Sequence, residues 1–156
     1  MTDVERYLYR YNHLERKKRI LESELKEATE EYRAQQESLL APAKTSEVKT
    51  SKTNRISDPV PAAVIKIVDV YRKRVDRIAD DLQTVSGEQQ RILDVVTCAG
   101  LTVCEENYIR YRYFRGLSAC ATARKIGYSE RWAQRHKALA LYKISLALQK
   151  GLVIQT

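Results

Sequence analysis

The fold of this chain is decided by residues 117–141, which read LSACATARKIGYSERWAQRHKALAL. The pattern predicts a short helix capped by Ser118, a turn at Gly127 and a second helix capped by Ser129, because a Ser hydroxyl accepts backbone N–H groups that a helix start leaves unpaired. Ala123 is small where two crossing helices must approach closely, and a glycine suits a helix end with positive φ. A helix, a short turn and a basic second helix are typical of a helix-turn-helix, which places its second helix in the DNA major groove.

Basic residues are concentrated in the same part of the chain. The whole sequence has 28 Lys and Arg against 20 Asp and Glu, a formal net charge of +8. Residues 107–156 contain ten basic residues and one acidic residue, Glu130, and therefore carry +9, which leaves −1 for the first 106 residues. This asymmetry favours a nucleic-acid partner over a merely soluble basic surface. If about five of the ten residues neutralise phosphates, the slope of log K against log salt is expected to be about −4 to −5 per protomer.

Composition narrows the class of protein. A chain of 156 residues with 44% hydrophobic and 31% charged residues, five Gly and three Pro is typical of a folded, helix-rich protein. The three cysteines, Cys98, Cys104 and Cys120, are not closely paired, and the sequence begins with the polar run MTDVER. We therefore expect a reducing, cytosolic location.

Several kinds of site have no counterpart in the sequence. His13 and His136 are the two histidines, and no Cys/His spacing resembles a zinc site. No apolar run reaches the roughly 18 residues of a membrane span. There is no Gly-rich phosphate loop, Cys/His dyad or acidic pair in an apolar context. We expect no metal, no cofactor, no membrane association and no enzymatic activity.

Two heptad patterns predict two long helices. Eleven positions from 4 to 39 alternate steps of three and four, and all but Lys18 and Gln35 are apolar or aromatic, which predicts a helix over residues 1–40. A second seam of eleven positions from 64 to 99, in which only Gln89 is polar, predicts a helix over residues 62–99. The run Ser-Gly-Glu-Gln within it resembles a capping box, but the seam continues in phase through it, which favours one continuous helix.

Residues 41–61 separate the two helices and contain all three prolines and six Ser or Thr, the composition of a flexible linker. The two seams can pair as an antiparallel hairpin within one chain or as a coiled coil between chains, and both arrangements remain open. We expect a homo-oligomer that assembles through residues 1–99. A capping box at Thr102 to Glu105 opens the predicted C-terminal domain, residues 102–156. The predicted fold is therefore all-α, a long helical hairpin or coiled coil followed by a helix-turn-helix domain.

Residues 105–148 resemble region 4 of bacterial sigma factors. The shared pattern is an RYF-G-LS lead-in at 112–118, Ala123, a G-x-S turn at 127–129 and a late Ala-Leu at 140–141. Thr122 stands where that pattern has Ile or Leu, and His136 where it has a branched apolar residue.

The chain more closely resembles small phage and prophage regulators of the ArpU type. The run GYSERW at 127–132 and the run DPVPAAVIKIVD at 58–69 carry this resemblance. It implies a sigma-like late transcriptional activator of phage or mobile-element genes, with double-stranded DNA and host RNA polymerase as partners. It also implies a location in the cytoplasm of a bacterial host cell.

Three-four spacing divides the second helix of the motif into two faces. Ala133, His136, Ala140, Ile144 and Leu148 are predicted to face inward. The outward face is then predicted to hold Glu130, Arg131, Gln134, Arg135 and Lys137. Arg there can bond guanine and Gln adenine in bidentate fashion. Trp132 can either pack on the preceding helices, which we favour, or touch the DNA backbone. The residues predicted to contact DNA are Ser118, Arg124, Lys125, Tyr128, Ser129, Glu130, Arg131, Trp132, Gln134, Arg135 and Lys137.

The first hypothesis from the sequence is a sequence-specific DNA-binding transcriptional regulator, most simply an activator. A DNA-packaging protein like a small terminase subunit and an RNA polymerase-binding adaptor are the alternatives. A ring of eight or more subunits would favour packaging, and selective binding to one promoter fragment would argue against the adaptor.

Overall fold

The computed structural model describes residues 2–40 and 60–154, and within these ranges every regular element is helical. This confirms the all-α fold class. Most of the predicted linker, residues 41–59, lies outside the described residues, as does the seam side chain at position 39. The helices are α1 Asp3–Leu40, α2 Val60–Cys98, α3 Val103–Ile109, α4 Ala119–Ile126 and α5 Glu130–Ile154.

The N-termini of α3, α4 and α5 have the predicted caps. The Thr102 hydroxyl accepts the Glu105 N–H at 3.4 Å, and the Glu105 carboxylate accepts the Thr102 N–H at 2.8 Å, which completes the capping box before α3. The Ser118 and Ser129 hydroxyls each accept the N–H three residues further on, at 3.2 and 3.3 Å. Local sequence alone therefore determines where α3, α4 and α5 begin.

α2 continues without a break through the Ser-Gly-Glu-Gln run, as the phase of its seam predicted. Gln89, the polar residue of that seam, is buried, and its side-chain amide donates to the Glu15 carboxylate at 2.8 Å. In α1 the described seam positions from 4 to 35 are all buried or half-buried, whereas Ile20, which lies off the seam, is 58% exposed. The three-four spacing therefore identified the packed faces of both helices.

The described chain divides into two compact units, Met1–Arg19 with Gln83–Thr156, and Ile20–Leu82. In each unit a segment of α1 runs beside a segment of α2. An ion pair joins Arg74 to Glu31 at 2.7 Å in the second unit. The first unit includes the predicted domain of residues 102–156 but also takes in the beginning of α1 and the end of α2, a larger grouping than the predicted boundary.

The beginning of α1 belongs to the first unit because it packs on an aromatic core. Tyr113 is fully buried, its ring meets the Tyr9 ring edge-on at 4.9 Å, and its hydroxyl donates to the Glu5 carboxylate at 2.9 Å. The next residue, Phe114, stacks on Tyr11 at 4.1 Å. Aromatic pairs in these geometries add stabilisation beyond the area that they bury.

Tyr113 and Phe114 are adjacent in sequence, yet both contact α1, because the helix after α3 has a wider turn. Residues Arg110–Phe114 form a π-helical turn, in which the Arg115 N–H donates to the Arg110 carbonyl at 3.0 Å, five residues back. A turn of this kind contains one residue more than an α-helical turn.

Gly116, which follows the π turn, has a backbone conformation that disfavours a side chain. Its φ is +72°, and a Cβ built there would lie 2.9 Å from Asn12 Nδ2. The Asn12 amide can rotate away, so the backbone conformation is the larger obstacle. We expect Gly116→Ala to lower the free energy of unfolding by roughly 1–2 kcal/mol in urea titrations.

Gly87 provides the matched control. It lies inside α2, with nothing within 4 Å of a built Cβ. Gly87→Ala is therefore expected to raise the free energy of unfolding by about 0.5–1 kcal/mol, through helix propensity alone. Changes of the same sign in the two variants would contradict this assignment.

Candidate nucleic-acid interface

α4 and α5 are joined by a three-residue turn that starts at Gly127. Gly127 has φ 82° and ψ 26°, and the N–H groups of Gly127 and Tyr128 both donate to the Ala123 carbonyl, at 3.0 and 3.1 Å. Ala123 and Ala133 are buried, which lets the two helices approach closely. The left-handed conformation, which glycine adopts at little cost, thus ends α4 and redirects the chain into α5.

Thr122, the residue that departs from the sigma-factor pattern, is fully buried in α4. Its hydroxyl donates to the Ser118 carbonyl at 2.8 Å, one turn back. The polar group is therefore satisfied within its own helix and needs no partner from α5.

α5 presents one face to the core and another outward. Ala133, Ala140 and Ile144 are buried and His136 and Leu148 half-buried, in the predicted spacing. The helix runs to Ile154. The predicted contact residues whose side chains are exposed are Ser118, Arg124, Lys125, Tyr128, Ser129, Glu130, Arg131, Gln134 and Arg135.

Three stacked rings line the beginning of α5. The Tyr128 ring lies 3.7 Å from the Trp132 ring at an interplanar angle of 12°, and Trp132 lies 3.7 Å from His136 at 29°. The Tyr128 hydroxyl also lies 3.6 Å from the Cys104 sulfur in α3. The sequence left two roles open for Trp132. In the structure its ring stacks between two side chains of the same chain, Tyr128 and His136.

Lys137 differs from the other predicted contact residues because it forms an ion pair within the protein. Its ammonium lies 2.7 Å from the Glu5 carboxylate in α1. The prediction that Lys137 faces outward is therefore wrong, since a long, flexible stem lets the ammonium reach inward from the edge of the helix. The Lys137 hydrogen bond, with further bonds from the Thr2 N–H and the Tyr113 hydroxyl, overcomes the effect of burial and lowers the pKa of Glu5 to about 2.

A second buried carboxylate, Glu105 of α3, holds the next part of α5. Lys143 donates to it at 2.7 Å, and His136 Nδ1 lies 4.0 Å from its other oxygen. Burial raises the pKa of Glu105, but the bonds from Lys143 and from the Thr102 N–H outweigh that effect and keep the pKa below its usual range. α5 is therefore anchored at two points by charge-assisted hydrogen bonds, which are stronger than neutral ones.

The sequence singled out neither anchor. Glu5 lies in a polar N-terminal run, 132 residues before Lys137, and no local pattern links them. The sequence pattern indicates Glu105 only as a capping residue. The sequence offers one hint: Glu5 and Glu105 each lie on a predicted helix next to apolar positions, where a buried carboxylate needs a partner.

Glu130, the first residue of α5, lies beside α4. Its carboxylate interacts with the Cys120 thiol and raises the pKa of that thiol. A carboxylate in the first turn also complements the positive end of the helix dipole. Glu130 therefore has a structural contact in addition to its place on the predicted interface.

Among the described residues, no group of three or more His, Cys, Asp or Glu could hold a metal ion, and none of the described helices could cross a membrane. Comparisons with protein-family models, with curated proteins and with solved structures find no match to this chain.

Proposed function

We propose that this protein is a sequence-specific regulator of transcription that binds double-stranded DNA through α5, as in the ArpU-type phage regulators that its sequence resembles. The observation that carries the proposal is the outward face of α5. Arg131, Gln134 and Arg135 are exposed there, and no ion pair within the described part of the chain involves them. These residue types are suited to reading guanine and adenine in the major groove.

The anchoring of α5 supports this role. Base readout requires side chains held in register on a rigid element, because a small displacement breaks a bidentate hydrogen bond. Glu5 and Glu105 hold the inner side of α5 through Lys137 and Lys143 at 2.7 Å each. The opposite side of the same helix stays available for DNA.

Residues at the end of α4 extend the basic surface toward the phosphates. Arg124 and Lys125 are exposed in its last turn. In helix-turn-helix proteins the first helix of the pair crosses the DNA backbone while the second reads bases. We assign these two residues to phosphate contacts, which position the protein without specifying sequence.

We expect Arg131→Ala and Gln134→Ala each to weaken binding to the preferred site by about 1–3 kcal/mol and binding to random duplex by much less. The site is first selected from fragmented genomic DNA with the purified protein, and affinities are then measured by fluorescence anisotropy. Lys150→Ala, an exposed basic residue near the end of α5, is the matched control and should leave both affinities nearly unchanged. Equal losses on specific and random DNA would reassign Arg131 and Gln134 to the backbone.

The number of subunits bound per site distinguishes this proposal from the packaging alternative. A regulator of this size is expected to bind as a monomer or dimer, whereas packaging proteins array many copies. Light scattering of the protein alone and with its selected site provides that number.

A further inference from the structure

A basic cleft of about 700 Å³ opens between α1 and the segment formed by α3 and its π turn. We call it the arginine cleft, after the four arginines that line it: Arg16, Arg19, Arg110 and Arg115. All four are exposed, and the one carboxylate in the lining is Glu15.

The arginine cleft lies on the opposite side of α3 from α5. Lys143 of α5 contacts Glu105, and the cleft residue Asn107 lies two positions after Glu105 in α3. At 100° per residue this offset places Asn107 about 160° around the helix from Glu105. The cleft is therefore a different surface from the outward face of α5.

Two of the four arginines are already paired inside the protein. Arg110 bonds Glu106 at 2.6 Å, and Arg19 lies 3.4 Å from Glu15. Arg16 and Arg115 form no ion pair within the described residues. Two guanidinium groups of like charge at one cleft favour an anion that can bridge them, and phosphate matches the guanidinium fork.

Aromatic rings stand beside these guanidinium groups. Tyr11 and Phe114 form a stacked pair in the cleft wall, and the Arg115 guanidinium lies 5.2 Å from the centre of the Tyr111 ring. Grooves that bind single-stranded nucleic acid combine positive charge along the backbone with rings that stack on bases. A cleft of about 700 Å³ is in the size range of sites that bind a small ligand, which is large enough for a nucleotide or two of a flexible strand.

We propose that the arginine cleft binds a single-stranded nucleic-acid segment, with Arg16 and Arg115 holding its phosphates and Tyr111 against a base. The proposal goes beyond the proposed function and does not depend on it, because it concerns another surface and another form of nucleic acid. Binding of a single strand here would let the protein hold unpaired nucleic acid while α5 contacts duplex.

The test uses the full chain and a fluorescein-labelled oligothymidylate. The double variant Arg16→Glu with Arg115→Glu is compared with Arg72→Glu with Arg77→Glu, which makes the same charge change at exposed positions of α2 outside the cleft. Binding of the oligothymidylate is expected to weaken at least about tenfold in the cleft variant and less than about twofold in the control. Circular dichroism establishes that both variants are folded.

A second pair of measurements separates this proposal from the role of α5. The variant Arg131→Ala with Arg135→Ala should keep its affinity for the oligothymidylate, and the cleft variant should keep its affinity for duplex DNA. Failure of duplex binding in every protein would overturn the proposed function and leave the cleft intact. Loss of duplex but not single-strand binding in the cleft variant would overturn the cleft proposal.

Photocrosslinking identifies the bound surface in the unmodified protein. An oligonucleotide that carries 5-iodouracil should crosslink to Tyr111, Tyr11 or Phe114. Crosslinks confined to α5 would overturn the proposal. Equal competition by an acidic peptide of the same charge would also overturn it, by showing that the cleft selects charge and not nucleotides.

Discussion

Replacing Glu5 by Gln is expected to lower the free energy of unfolding by on the order of 3 kcal/mol at neutral pH, measured by urea titration. The amide keeps the shape of the carboxylate but loses the charge opposite Lys137, 2.7 Å away, and accepts less well from the Tyr113 hydroxyl. Because Glu5 connects α1 to both the π turn and α5, the loss should affect the whole first unit. The matched control is Glu31→Gln, which breaks an ion pair at a half-exposed site and should cost less than about 0.5 kcal/mol.

The contribution of Glu5 to the free energy of unfolding should depend on pH. The pKa of Glu5 is about 2 in the folded protein against 4.5 for the free group. A depressed folded pKa means that the stabilisation is fully present above pH 4.5 and is lost as the pH falls toward 2, a total of about 3 kcal/mol. The difference between wild type and Glu5→Gln should therefore shrink across that interval. A difference that stays constant from pH 7 to pH 2 would show that the charge of Glu5 contributes nothing.

Duplex binding should weaken about tenfold between 50 and 200 mM salt, because the two phosphate contacts assigned to Arg124 and Lys125 give a slope near −1.8 in log K against log salt. This slope is shallower than the −4 to −5 expected from the count of basic residues. One reason is that Arg131 and Arg135 are assigned to bases. The other is that Lys137 and Lys143 are paired with Glu5 and Glu105 within the protein.

Single substitutions test the assignment behind that slope. Arg124→Ala should reduce its magnitude by about 0.9, whereas Arg77→Ala in α2 should leave it unchanged. A slope near zero in the wild type would mean that the basic C-terminal surface has a partner other than DNA.

Much of the fold could be predicted because it depends on interactions between residues only a few positions apart in the sequence. Hydroxyls at Thr102, Ser118 and Ser129 cap helices from positions next to them, and Gly127 ends α4 through its own φ. The buried faces of the helices follow from a spacing that any window of two turns reveals. The exposed face of α5 was predicted by the same rule.

The parts that could not be predicted depend on residues far apart in sequence. An ion pair such as that of Lys137 with Glu5 has no effect on the spacing of apolar residues along the sequence. The residues predicted to contact DNA therefore included Lys137, which instead stabilises the fold. The π turn at Arg110–Phe114 was missed because its extra residue has no compositional mark. The arginine cleft combines residues of α1 with residues of α3 and the π turn, which lie far apart in the sequence.

The composition of the first unit, which joins Met1–Arg19 to Gln83–Thr156, has a consequence for synthesis. The ribosome completes Glu5 about 130 residues before Lys137, a delay on the order of ten seconds at ordinary elongation rates. During that delay Leu8 and Tyr9, which end buried or half-buried against later segments, have no partner to cover them. The beginning of α1 should therefore stay accessible to chaperones in the nascent chain until α5 has left the exit tunnel.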